Sequence, residues 1–413
     1  MDINLNSSDA YASLRIKDFQ WFVIARFLFT FSIQMQSVIV GWQIYQLTHS
    51  ALSLGLIGLS EAIPFFSVTL FAGHIADMVS RKKIILFSSL IYFICAVALL
   101  LVSTHFHFIL VEHGVLPVYL IIFTTGLARG FMSPATSAFA AQLVPRELFG
   151  NASTWNSLAW QTAEVTGPAA GGLIYGFFGI GSAYFLVIIM SAVGFIFFTL
   201  VSNKPLPERK AKESIWLSLS RGLKFVFNEQ IILSAITLDM FAVFFGGAVS
   251  VLPIFADRVL HIGAKGLGFL RAAPAVGEII MSIVQAHNPF FKHAGRNLLI
   301  CVFGFGLSII CFALSKNFYL SLFLLLLSGL FDNVSVVIRA TIIQLFTPDE
   351  MRGRVSAVNG IFIGSSNELG SFESGLAATL MGLIPSVIFG GSMTLIVVAV
   401  MHIFAPKLKS LRL

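Results

Sequence analysis

Charge is scarce in this chain: 11% of its 413 residues are Asp, Glu, Lys or Arg, 57% are hydrophobic, and the mean hydropathy is +0.90. A water-soluble domain cannot hide so much apolar surface, so lipid must be its solvent. Cysteine is scarce as well. Cys95, Cys301 and Cys311 all fall within apolar runs, which argues for packing and against disulfides. Catalytic signatures are missing: there is no His-Glu-x-x-His run, no Gly-x-Ser-x-Gly elbow and no Gly-x-x-x-x-Gly-Lys loop, so an embedded enzyme and a nucleotide-driven pump are poor readings. His105 and His107 supply too few ligands for a metal, and no cofactor is expected. Residues 1–18 lack the basic start and apolar core of a signal peptide, so no removable leader is expected.

What is present is a succession of apolar runs, each near the ~20 residues a helix needs to cross the hydrocarbon layer. About twelve can be counted, at 19–46, 52–76, 84–104, 115–142, 151–178, 181–202, 229–255, 265–287, 297–315, 318–346, 354–381 and 384–405. With the N-terminus in the cytoplasm, 19 of the 26 basic residues fall in inside segments and three (Arg258, Lys265, Lys316) outside. That bias follows the positive-inside rule and puts both termini in the cytoplasm. It also accounts for the pI near 9.4 through membrane topology, which makes nucleic acid a poor partner and lipid the expected one.

The chain is doubled. Gln142, Pro145, Asn156 and Gly167 recur as Gln344, Pro348, Asn359 and Gly370, and Gly58 precedes Pro64 by six residues as Gly268 precedes Pro274. The expected fold is therefore all-α: twelve transmembrane helices in two pseudo-symmetric six-helix bundles, 1–203 and 229–413. Residues 204–228 read as a cytoplasmic linker. In it Trp216, Leu219, Leu223 and Phe227 share one face, the pattern of a helix in the headgroup zone or one packed on the bundle. Duplicated membrane chains commonly carry a substrate path between their halves, which makes a transporter the leading expectation.

After the second span come Gly73, Asp77, Arg81 and Lys82, which resemble the loop between helices two and three of the major facilitator superfamily, although Met78 and Ser80 depart from its pattern. These residues, with Arg352 and Arg354 in the second half, form a candidate cytoplasmic gate. Arg129 and Gly130 in span four resemble the superfamily's helix-four arginine motif, associated with proton coupling. Gly167, Pro168, Gly171 and Gly172 are similar to the core of its drug/proton antiporter motif, where small residues let helices pack closely. Gly329, Asp332, Arg339, Gln344, Pro348, Asp349, Arg352, Gly353, Arg354, Gly364, Asn367, Glu368 and Gly370 resemble the enterobactin-exporter-like branch, the transmembrane secretion effectors. The resemblance covers nearly the whole chain. It implies a proton-coupled exporter of a siderophore, macrolide or other small amphiphile in a bacterial inner membrane, working as a monomer by alternating access. An importer of a siderophore or lysolipid, or a lipid flippase, is the rival reading of the same fold, and a non-transporting scaffold a remote one.

Helix counting places Arg129, Glu164, Asp239, Glu278, Asp332 and Glu368 near mid-membrane, with Glu373 further along its span. A charge at that depth costs at least ~2.5 kcal/mol on insertion scales, so these groups should pair, take a proton or face a polar cavity. Asp332 or Asp239 is the candidate proton carrier, tuned by Arg129. Glu164, Glu278 and Glu368 are candidates to orient substrate. Glu61 and Arg271, each three residues before its proline, carry opposite charge and are a candidate pair between the halves.

Overall fold

The computed structural model describes residues 11–205, 215–287, 292–348 and 351–412. Every regular element among them is helical: α1 (Lys17–Thr48), α2 (Ala51–Met78), α3 (Arg81–Thr104), α4 (His107–His113), α5 (Leu116–Ala140), α6 (Phe149–Leu200), α7 (Ile215–Asn228), α8 (Gln230–Gly246), the turn α9 (Leu252–Ile254), α10 (Gly263–His287), α11 (Ala294–Leu314), α12 (Phe318–Phe346), α13 (Arg352–Met381), α14 (Leu383–Phe404) and α15 (Pro406–Lys409). The side chains of Gly73, Asp77, Trp216, Leu219 and Arg352 lie outside the described residues, as do residues 206–214 of the expected linker.

Among the described residues ten helical stretches are long and apolar enough to cross a membrane. This count differs from twelve for two physical reasons. The helix α6 has 52 residues, roughly 78 Å of rise, and is broken at Gly179, whose φ of 82° no helix accommodates. Gly382, with φ of 90°, makes the corresponding break between α13 and α14, 203 residues later. The second reason is α13 itself, which carries Arg354, Glu368, Glu373 and many serines and glycines and is too polar to pass as a lipid-clad helix.

The chain separates into two compact units, Met1–Gln43 with Ser60–Lys210, and Ile44–Leu59 with Ala211–Leu413. In the first, α3 packs on α5 and α6, and in the second α11 packs on α12 and α14. Glycines set the close approaches. A Cβ at Gly167 would come within 2.9 Å of Phe31 O on α1, and one at its repeat partner Gly370 within 2.7 Å of Phe244 O on α8. The connections match too, since His49 and His261, at φ of 49° and 53°, are the two non-glycine residues with left-handed backbone among the described residues.

Each unit has its own apolar core. Phe22, Phe29, Tyr92, Phe139 and Phe198 build the first, with the Phe29 and Tyr92 rings edge to face at 5.1 Å. Ile232, Ile236, Leu298, Ile338, Ile342, Val355 and Val358 build the second. Large apolar side chains also point outward: Tyr319 is 78% exposed and Phe178 and Phe404 are each 72% exposed, a surface that only lipid can cover favourably.

Candidate functional site

The charges buried along the helices are the chemistry this fold has to explain. In the first unit Arg129 of α5 donates from Nη1 to Glu61 Oε1 of α2 at 2.7 Å, and its guanidinium lies 5.0 Å from the Phe65 ring centroid. The acidic partner that Arg129 needs is thus Glu61, held inside the same unit. Packing explains how they meet, because a Cβ at Gly126 would come within 2.7 Å of Pro64 Cγ, so α2 and α5 nearly touch just there.

In the second unit Arg339 of α12 pairs with Asp239 of α8, both almost fully buried at 6% and 5% exposure. Asp332, seven residues before Arg339, has no ion-pair or hydrogen-bond partner among the described residues. Arg271 of α10 is half-buried, and its Nε has no hydrogen-bond partner among the described residues. Glu164, Glu278 and Glu368 are each half-buried.

The remaining sequence candidates fall at helix ends and contacts. Arg81 Nη1 donates to Ala138 O at 3.1 Å, and Lys82 Nζ to Thr199 O at 2.8 Å and Val201 O at 2.5 Å. Both cations therefore sit on carbonyls at the C-terminal ends of α5 and α6, where the helix dipole is negative. Arg354 Nη1 lies 3.3 Å from Met351 Sδ. Gly167 and Gly171 lie on α1, Gly171 with its Cβ position 2.7 Å from Met35 O, while Gly172 is buried and Pro168 sits inside α6. Gly73, Asp77 and Arg352 have no described side chains, so their part of the expected gate falls outside the described residues. Cys95 and Cys301 are buried, but Cys311 is exposed on α11 and packs in no core.

One deep charge escaped the sequence reading. Arg26 of α1 has a buried Nη1 with no hydrogen-bond partner among the described residues. A basic residue in the middle of an apolar run was the available signal. Asn156 and Asn359, already matched by the repeat, each bury a side-chain oxygen without a partner among the described residues.

A doubled bundle of membrane-crossing helices with ion pairs held between them defines the multi-pass transporters of the major facilitator superfamily. The chain belongs to the transmembrane secretion effector family, which it matches over residues 8–412. It is 28% identical over 392 residues to the enterobactin exporter EntS of Escherichia coli strain K12, covering 92% of this chain and 91% of that one. The enterobactin exporter EntS of Shigella flexneri is 28% identical over 340 residues, covering 81% and 78%. Among solved structures, a POT family transporter in complex with 5-aminolevulinic acid has a TM-score of 0.75 at 12% identity, covering 94% of this chain and 96% of that one. A D-xylose–proton symporter has a TM-score of 0.72 at 13% identity, covering 96% and 99%. The protein is a multi-pass integral membrane protein and a secondary transporter working by alternating access.

Proposed function

We propose that this protein is a proton-coupled exporter of a small amphiphilic metabolite, of the siderophore or macrolide kind, in a bacterial inner membrane. It would cross the membrane twelve times, α6 counting twice and α13 lining the path with its polar residues, with both termini cytoplasmic. The observation that carries the reading is Asp332. It is a carboxylate on an apolar helix with no partner among the described residues, while the other proton candidate, Asp239, is held by Arg339. An acid left alone at that depth is the group best placed to take up and give back a proton. The names of the similar exporters support the direction and the substrate class. Arg81, Lys82, Arg352 and Arg354 would serve the cytoplasmic gate with Gly73 and Asp77, and Glu164, Glu278 and Glu368 would line the path.

The test is transport in inside-out vesicles with an imposed pH gradient. Amphiphile accumulation should collapse with the gradient, and Asp332→Asn should abolish substrate-driven proton movement while Asp239→Asn lowers stability first. Proton movement that persists undiminished in Asp332→Asn would remove this residue from the coupling role.

A further inference from the structure

The two units hold the same pair of positions with their charges exchanged. In the first, Glu61 stands three residues before Pro64 and Arg129 three after Gly126, and that proline packs on that glycine. In the second, Arg271 stands three residues before Pro274 and Asp332 three after Gly329, and a Cβ at Gly329 would lie 2.7 Å from Pro274 Cα. Acid and base are therefore transposed between counterpart positions on α2 and α5 and on α10 and α12.

Their states differ. The first pair is closed at 2.7 Å under the Phe65 ring, whereas Arg271 and Asp332 form no ion pair with each other or with any described residue. Where the first unit has Phe65 directly after its proline the second has Ala275, whose methyl group cannot cover a guanidinium. Two opposite charges thus stand on packed neighbouring helices, each within three residues of the Pro274–Gly329 contact, and are not joined to one another. Each costs free energy that a complementary group would recover. An acid alone would leave the site with net negative charge, and a base alone with net positive charge. A ligand carrying one of each satisfies both poles and keeps the site neutral.

We propose that Arg271 and Asp332 form a two-pole receptor for a zwitterionic amphiphile, the guanidinium taking its acidic oxygen and the carboxylate its ammonium group. The assignment rests on the transporter reading above and deepens it. A proton on Asp332 removes the pole that holds the ammonium, so proton and substrate displace one another, as exchange requires. When both have left, Arg271 and Asp332 can close on each other as Glu61 and Arg129 do.

The test uses the purified full chain in detergent and three probes with one biphenyl body: 4-phenylphenylalanine, its carboxamide and its N-acetyl derivative. Thermal-shift titration should show the zwitterion binding on the order of tenfold tighter than either singly charged probe. Arg271→Gln should erase its advantage over the carboxamide, and Asp332→Asn its advantage over the N-acetyl form. Such reciprocal losses would not follow from general loosening of the bundle. The double exchange Arg271→Glu with Asp332→Arg recreates the pair that the first unit already closes, so it should fold and show no preference. Equal binding of all three probes, or equal weakening of all three in both variants, would overturn the receptor. Selective binding without gradient-driven movement in vesicles would instead overturn the transport reading and leave the receptor standing. Transport of a zwitterion unchanged in both variants would do the reverse.

Discussion

A buried ion pair is felt most when half of it is removed. Asp239 and Arg339 are each 7% exposed at the side chain, so Asp239→Asn strands a guanidinium and should cost about 3–5 kcal/mol. Arg129 is different, because its side chain is 38% exposed and water can replace a lost partner. Glu61→Gln should therefore cost only about 1 kcal/mol. Thermal unfolding of the two variants in one detergent measures the contrast, and equal losses would refute it. Arg26 gives the opposite sign. It lies five residues before Phe31 as Asp239 lies five before Phe244, and Thr136 lies ten after Gly126 as Arg339 lies ten after Gly329. The first unit thus has an arginine where the second has an acid, and a threonine where the second has that acid's partner. Arg26→Met relieves an unmatched charge and should raise the unfolding temperature by roughly 2–4 °C. A drop would mean that Arg26 is satisfied by a group the pairing does not reveal. At this scale the sequence announced which charges were deep, since composition alone makes an apolar run with Arg129 or Asp332 costly. It did not announce who pairs with whom. Partners such as Glu61 for Arg129 lie on separate helices, 68 residues apart, and only the glycine and proline contacts fix their level.

Helices were legible from hydropathy wherever lipid covers them, and less so where they face protein or a polar path. The repeat placed α13 by its match to the first half of α6, although its own polarity hides it from an apolar criterion. The linker helix shows what periodicity misses. Leu223 and Phe227 share the expected apolar face, yet Phe227 is 58% exposed while Val226 and Gly222 are buried. The reason is Gly222, whose missing side chain lets α7 approach Arg354 on α13, where a Cβ would come within 3.1 Å of Arg354 Cβ. Glycine is invisible to a hydrophobic pattern but decides the contact. Two glycines of α13 turn this into a prediction. A Cβ at Gly370 meets Phe244 O at 2.7 Å and Cα at 3.0 Å, backbone that cannot rotate away, whereas one at Gly360 meets nothing within 4 Å. Gly360→Ala should stabilise by up to about 1 kcal/mol through helix propensity alone. Gly370→Ala should destabilise despite the same propensity gain, with the loss read as earlier unfolding and poorer recovery from detergent. If both substitutions stabilise, α8 and α13 do not approach as closely as described.

Alternating access requires some contact that is made in one state and broken in the other, and residues 44–59 supply a candidate. They belong with the second unit although they precede most of the first in sequence. Gly55 and Gly58 lie on α13, the Cβ position of Gly58 being 2.9 Å from Glu368 O and 3.0 Å from Ser371 Cβ. Beside them Tyr45 donates to Asp257 Oδ2 at 2.8 Å, and Arg258 Nη2 donates to His49 O at 3.2 Å. On the proposed topology the two hydrogen bonds lie at the outer face and the glycine packing lies below them, between that face and mid-membrane. On the proposed reading the set parts when the path opens outward, and two hydrogen bonds with glycine packing would make a latch that costs only a few kcal/mol to release. Tyr45→Phe removes one bond, worth about 1 kcal/mol, and should favour the opened state roughly fivefold. Gly58→Leu should hold the contact apart altogether, while Gly360→Leu, at an exposed position with nothing within 4 Å of its Cβ, serves as the control for added bulk. A cysteine placed at Ser371 reports the outcome through its labelling by a membrane-impermeant maleimide added outside. Labelling should rise in Tyr45→Phe, rise further in Gly58→Leu, and stay at the parent level in Gly360→Leu. A flat response across the three would mean that this contact stays closed through the cycle and that the moving seam lies elsewhere.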